Sequence, residues 1–336
     1  MAEAVRAEPK NGSWRQLGFA LAAFLLLPLI PILRSIVPIE QTLMLLVVSV
    51  AVCAVIGWNL GGRAALAVVW LALAAWMLVQ HAGPAGTPYD KMARGWSLLL
   101  AGSFGLVSLW SAATPFFVRT LASVGLAMGA AFAIALASPG GIARVQHAAG
   151  EEFMRRSGES IESLHEVSRT PQWRGWAAKS PAVGELAEQS EAQLRAVPEH
   201  SATLLPALLA LESLAALALG WSLYHRLSPQ RIGPPLGPLK EFRFNDQLVW
   251  GLAVGATLCL PSFAEGKNVG FNLLLFFGAL YLTRGFGVMA WMSRGRVLFI
   301  VVVTLAVLAL PLLGALALAL GLGDTWLDWR RRARTS

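Results

Sequence analysis

Glu212 and Arg284 are charged residues set inside long apolar stretches. Glu212 lies in the run from Leu204 to Tyr224, and Arg284 in NVGFNLLLFFGALYLTRGFGVMAWM. A charge at the centre of a membrane-spanning helix costs about 2.5–3.5 kcal/mol on insertion scales, so such residues mark binding sites or internal pairs. Asn272 and Tyr281 share the run of Arg284. At about 100° per residue, the twelve-residue step from Asn272 to Arg284 ends about a third of a turn off register. Tyr281, three residues before Arg284, falls near the same face. Glu212, Asn272, Tyr281 and Arg284 are therefore candidate ligand-binding residues, expected to face an interior cavity and hold a polar small molecule. A structural Glu212–Arg284 pair, or an arginine reaching back to the head groups, accounts for the same pattern.

The remaining inventory offers little for catalysis. The five histidines, His81, His147, His165, His200 and His225, fall in loops or at the edges of apolar runs. There is no H-E-x-x-H, no paired-cysteine motif, no phosphate-binding glycine loop and no G-x-S-x-G. The spacing of His147 and Glu151 suits one helical face, as chance pairs on a Glu-rich helix also do. No catalytic residue, metal site or cofactor is expected, and the chain reads as a binding or structural protein before an enzyme. Cys53 and Cys259 sit in apolar runs and read as small buried residues.

The elements that would carry these residues are membrane helices. Hydrophobic residues make up 56% of the 336 residues and charged residues 14%, against about 25% charged in a soluble domain. The stretch from Arg296 to Gly323 has no charge after its first residue, and about 20 apolar residues suffice to cross a bilayer. Nine apolar runs can be traced: 17–33, 41–60, 64–79, 95–111, 116–137, 204–224, 248–264, 269–292 and 297–322. Pro28 and Pro31 should break the first run. The expected fold is all-α, a polytopic transmembrane bundle of about 8–9 spans. The net charge of +8 suits loops and span ends that meet anionic lipid, with Arg119 among the residues expected to reach the head groups. No basic patch interleaved with aromatics points to nucleic acid.

Residues 139–200 break the pattern, holding nine of the nineteen acidic residues and seven Lys/Arg. Phe153, Ile161, Leu164 and Val167 follow a helical stripe, which predicts amphipathic helices on the bilayer surface or on the bundle. The expected organisation is N-terminal spans over 1–138, a helical extramembrane insertion over 139–200, C-terminal spans over 201–323 and a basic tail over 324–336. Small residues four apart, Gly57/Gly61, Gly125/Gly129, Gly251/Gly255 and Ala127/Ala131/Ala135, are candidate close-packing stripes.

The last third has a further pattern. FRFNDQLVW leads into a span, a second span opens with NVGFNLLLFFGALYL, and the chain closes with GLGDTWLDWRRR. Over roughly Leu236 to Arg332 this resembles the YybS-like family of bacterial membrane proteins. Phe242, Trp250, Asn272, Tyr281, Gly285, Asp324 and Asp328 are the residues that carry the likeness. That family is in turn similar to the substrate-binding subunits of energy-coupling-factor transporters. The resemblance implies a multi-pass protein of the bacterial cytoplasmic membrane that binds a small molecule and works with a membrane-protein partner. In those subunits an Ala-x-x-x-Ala in the first helix contacts the partner; here the spacing occurs in the fifth run. A membrane scaffold acting through protein contacts is the rival expectation.

Overall fold

A computed structural model of the chain describes residues 14–80, 87–110, 114–292 and 310–330. No strand occurs among the described residues. Five helices are long and apolar enough to cross a membrane: Ile39–Asn59, Pro88–Trp110, Phe116–Ala137, Ser201–Leu227 (the end of a longer helix) and Pro261–Met292. Three shorter apolar helices accompany them, Trp14–Leu29, Ala64–Val79 and Leu312–Leu327. The chain is an all-α bundle with multiple membrane-embedded helices, in contact with the lipid bilayer. The first half of the ninth apolar run, His81 and the end of the basic tail lie outside the described residues. The described helices divide into two compact units, Ser13–Pro235 and Leu236–Ser336.

In the first unit α1 (Trp14–Leu26) ends where Pro28 enters a 3-10 turn, and α2 (Pro31–Ile36) restarts at Pro31. Each proline lacks an N–H and is tolerated at the start of a new helical segment. The core then uses α3 (Ile39–Asn59), α5 (Pro88–Trp110) and α9 (Pro181–Leu227). Gln41 meets Glu212 near the start of α3, and Ser49 meets Gly220 further along, so α3 and the end of α9 run parallel. A Cβ on Gly220 would lie 2.9 Å from that of Ser49, so only glycine admits this approach. The helices α4 (Ala64–Val79) and α6 (Phe116–Ala137) complete the apolar layer.

The polar segment folds as α7 (Gly141–Ser168), the short α8 (Pro171–Lys179) and the first half of α9. His165 reaches Glu191, and Phe153 clusters with Leu205, so α7 and α9 form an antiparallel pair. Of the amphipathic stripe, Phe153 is fully buried and Val167 is exposed. The first half of α7 therefore packs into the bundle, while its second half carries a solvated surface. The helix α9 runs unbroken for 47 residues through Pro198 and Pro206. The change of composition near residue 200 falls within one continuous helix.

Arg119 is buried in the first unit, where the head-group reading placed it at the surface. Its Nη1 donates to the carbonyl of Ile232 at 3.1 Å, its Nη2 to that of Thr114 at 3.1 Å, and its guanidinium lies 5.0 Å over the Trp221 ring. Carbonyls of the 228–235 connection, which also accept from His225 and Trp221, provide an acceptor that sequence periodicity does not reveal.

In the second unit the apolar run 248–264 yields only the ten-residue α10 (Val249–Leu258), after which Pro261 opens a 3-10 segment. Ten residues rise about 15 Å, half a bilayer core. It packs on α11 (Lys267–Met292): a Cβ on Gly255 would come 3.1 Å from the carbonyl of Gly270, and one on Gly251 would strike the Phe277 ring. Then α12 (Leu310–Leu327) packs on α11, with Met289, Leu313 and Ala317 at the centre of the contact. The other stripes divide. A Cβ on Gly57 would strike Tyr224, whereas Gly125 and Gly129 face open space. Cys53 and Cys259 are both free thiols.

Candidate functional site

The first unit holds a buried polar layer built by four helices. The Tyr89 hydroxyl, at the start of α5, donates to Gln41 Oε1 at 2.7 Å. Gln41 Nε2 on α3 donates to Glu212 Oε2 on α9 at 2.7 Å, and Thr42 Oγ1 lies 3.2 Å from Glu212 Oε1. One turn of α9 is therefore tied to the first turn of α3. Beside this layer, Trp96 Nε1 donates to Ser213 Oγ at 2.9 Å. From α7, the Arg156 guanidinium lies 4.5 Å over the Tyr89 ring. Tyr89, Gln41, Thr42, Glu212 and Arg156 are all buried. Hydrocarbon offers no water to buried polar groups, so each must find a partner in the protein or in a ligand.

The α7 side of the layer is a charge cluster. Glu152 Oε1 accepts from Arg156 Nε at 2.8 Å and from Arg155 Nη2 at 2.5 Å, while Oε2 accepts from Arg155 Nε at 3.1 Å. Burial alone would raise the Glu152 carboxyl; hydrogen bonds from Arg155 and the charges of Arg156 and Arg155 outweigh it, holding the group below its ordinary range. Its contribution to stability is present above the ordinary value of 4.5 and is lost as pH falls through the lower folded value. Glu152→Gln is expected to lower the melting temperature at neutral pH and to flatten the acid-side loss of stability. Thermal unfolding in detergent from about pH 6 to about pH 3 checks this; an unchanged acid slope would remove Glu152 from the account.

The four sequence candidates divide between the two units. Glu212 takes neutral partners, Gln41 and Thr42. Arg284 belongs to a charge cluster of the second unit: its Nε donates to Asp324 Oδ2 at 2.9 Å, its Nη1 to Asp246 Oδ1 at 2.7 Å and its Nη2 to the Asp324 carbonyl at 3.1 Å. Tyr281 is fully buried, edge-on to Phe244 with centroids 5.0 Å apart, and Arg284 lies 5.3 Å over the same Phe244 ring. Tyr281 and Arg284 thus meet at Phe244. Asn272 donates to the carbonyl of Asn268 one turn earlier on α11.

The motif residues concentrate around this second cluster. Asp324 is fully enclosed and also accepts from Arg330 Nη2 at 2.5 Å, while Arg330 Nη1 donates to the carbonyls of Lys240 and Phe242. Phe242 packs edge-on to Phe244 at 5.8 Å. Asp328, in the left-handed region at φ 41, pairs with Arg243. Gly285 sits against the backbone of Ala317, and Trp250 is exposed. Asp324 was legible only through its motif; Gln41, Thr42, Tyr89 and Arg156 carried no signal, because polar residues at helix starts and in a charged amphipathic segment are ordinary. Among the described residues, no group of acidic, histidine or cysteine side chains could hold a metal ion.

No curated protein and no solved structure matches the chain. Residues 178–325, the stretch from the end of α8 through Thr325, match the model of the family described as "Predicted membrane protein (DUF2232)", and over that stretch the chain is similar to this family of membrane proteins.

Proposed function

We propose that the chain is a binding protein of the bacterial cytoplasmic membrane that holds a small polar molecule at the Glu212 layer as part of a transport process. The observation that carries this reading is a buried carboxylate whose partners, Gln41 and Thr42, are neutral. A carboxyl held in an ion pair would need no ligand; Glu212 is hydrogen-bonded by neutral side chains, which leaves lone pairs for a ligand's donors. The likeness to YybS-like proteins, and through them to energy-coupling-factor binding subunits, supports the same role with a separate membrane-protein partner supplying energy. In this reading Asn272, Tyr281 and Arg284 serve a second polar locus. The insertion 139–200 stands outside the hydrocarbon along much of its length.

The scaffold reading has its own support: Trp176 on α8 is exposed, on a helix that also carries Arg174 and Lys179. Native mass spectrometry of the gently purified protein separates the two. Small-molecule binding predicts a co-purifying ligand that is depleted about tenfold or more in Glu212→Gln, as expected for loss of a hydrogen bond to a charged group. Equal ligand occupancy in Glu212→Gln would remove Glu212 from the site. A stoichiometric protein in place of any ligand would favour the scaffold.

A further inference from the structure

We infer that Arg156 is the anion-recognising residue of this layer, and that the ligand carries a paired-oxygen anionic group, a carboxylate or a phosphate. The inference rests on the small-molecule reading above and adds the chemical class of the molecule.

Arg156 is only 5% exposed, yet Nη1 and Nη2 have no hydrogen-bond partner. Its Nε alone is engaged, by Glu152. Buried guanidinium nitrogens left without acceptors are costly, and the cost calls for an explanation. The local carboxylates do not supply one. Glu152 gives both oxygens to Arg155, which approaches through Nε and Nη2, and shares only one of them with Arg156. Glu212 is hydrogen-bonded to Gln41 and Thr42, and neither terminal nitrogen of Arg156 bonds to it. The Tyr89 hydroxyl donates to Gln41, and the Arg156 guanidinium lies over the Tyr89 ring.

The two vacant nitrogens are the terminal edge of a planar fork. That edge matches two oxygens on one carbon or one phosphorus, the bidentate geometry for which arginine is suited. Stacking on Tyr89 fixes the plane of the fork, and Glu152 fixes its root, so little side-chain freedom remains to be lost on binding. The acceptor comes either from a free small anion or from a lipid head group.

The test uses the full-length protein in maltoside micelles, which contribute neither phosphate nor carboxylate. Thermal unfolding is followed during titration with inorganic phosphate, with acetate and with phosphatidylglycerol. A saturable rise in melting temperature with at least one of them is expected. Arg156→Gln should weaken the apparent affinity about tenfold or more, Arg156→Lys should restore part of it, and Arg169→Gln, an exposed residue just beyond the end of α7, should leave it unchanged. A response to phosphatidylglycerol alone assigns the group to a lipid; a response to phosphate or acetate assigns it to a soluble anion. No saturable response to any of the three, or an equal response in Arg156→Gln, overturns the inference. The co-purified molecule separates this failure from that of the reading beneath it. A bound molecule without an acidic group refutes the anion assignment and leaves small-molecule binding standing; no bound molecule and no anion response refutes both.

Discussion

Asp324→Ala is expected to destabilise the second unit by about 3–5 kcal/mol, the usual cost of breaking a buried ion pair from one side. The side chain is fully enclosed and accepts from both Arg284 and Arg330, which are themselves buried. Removing it leaves Arg330 without the carboxylate it pairs with, and Arg284 with the exposed Asp246 in place of a buried counter-charge. Arg330 also holds the carbonyls of Lys240 and Phe242, so the 239–242 segment should loosen with it. Asp246 provides the control. It bonds the same Arg284, but its side chain is 59% exposed, and a pair of that kind is worth about 0–1 kcal/mol. Thermal unfolding in detergent, with limited proteolysis near residues 236–246, measures both variants. Superimposable melting curves for Asp324→Ala and Asp246→Ala would show that enclosure of the cluster adds nothing.

Gly285→Ala should be the next most damaging change, at about 3 kcal/mol or more. A Cβ at Gly285 would overlap the carbonyl oxygen of Ala317, and one at Gly321 would overlap that of Tyr281. The obstacle in each case is backbone, which cannot rotate away as a side chain can. The helices α11 and α12 would have to separate, taking Arg284 away from Asp324. Gly278 lies on the same helix with nothing near its Cβ position, so Gly278→Ala should be neutral or slightly stabilising through helix propensity alone. Equal melting temperatures for the two variants would mean that α11 and α12 do not touch through their backbones.

The class of the fold was legible from composition and apolar run length, because hydrocarbon demands long helices and few charges. Pro28 and Pro31 marked a real interruption, since a missing N–H acts locally. Pro198 and Pro206 did not, because packing along α9 holds the helix through them. The run 248–264 was apolar enough to span but stops early, as Pro261 ends the helix after ten residues of α10. Small-residue spacing picked out Gly255 and Gly57, which the structure packs against Gly270 and Tyr224, yet equally chose Gly125 and Gly129, which face nothing. Spacing reports what a helix face permits; which face is used depends on the neighbour.

The site was half visible for a related reason. Glu212 and Arg284 stood out because charge is rare in apolar runs. Their partners came from stretches where polarity is unremarkable: Gln41 in a first helical turn, Asp324 at a helix end, Arg156 within a charged amphipathic segment. Opposite charge suggested Glu212 and Arg284 as mates, but each has its own partners at short range. A motif containing Asp324 pointed more directly to the Arg284 cluster than charge complementarity did.

The unbroken course of α9 has a mechanical consequence. Glu212 and Glu191, the contact of His165, lie on the same hydrogen-bonded shaft, about 30 Å apart at 1.5 Å per residue. A tilt of about 5° applied at the outer end would displace that end by roughly 2.5 Å while pivoting at the carboxylate. Arg156 rides on the helix laid alongside. A displacement of the distal tip would then be coupled, through one continuous helix, to the spacing between the Arg156 guanidinium and the Glu212 carboxylate.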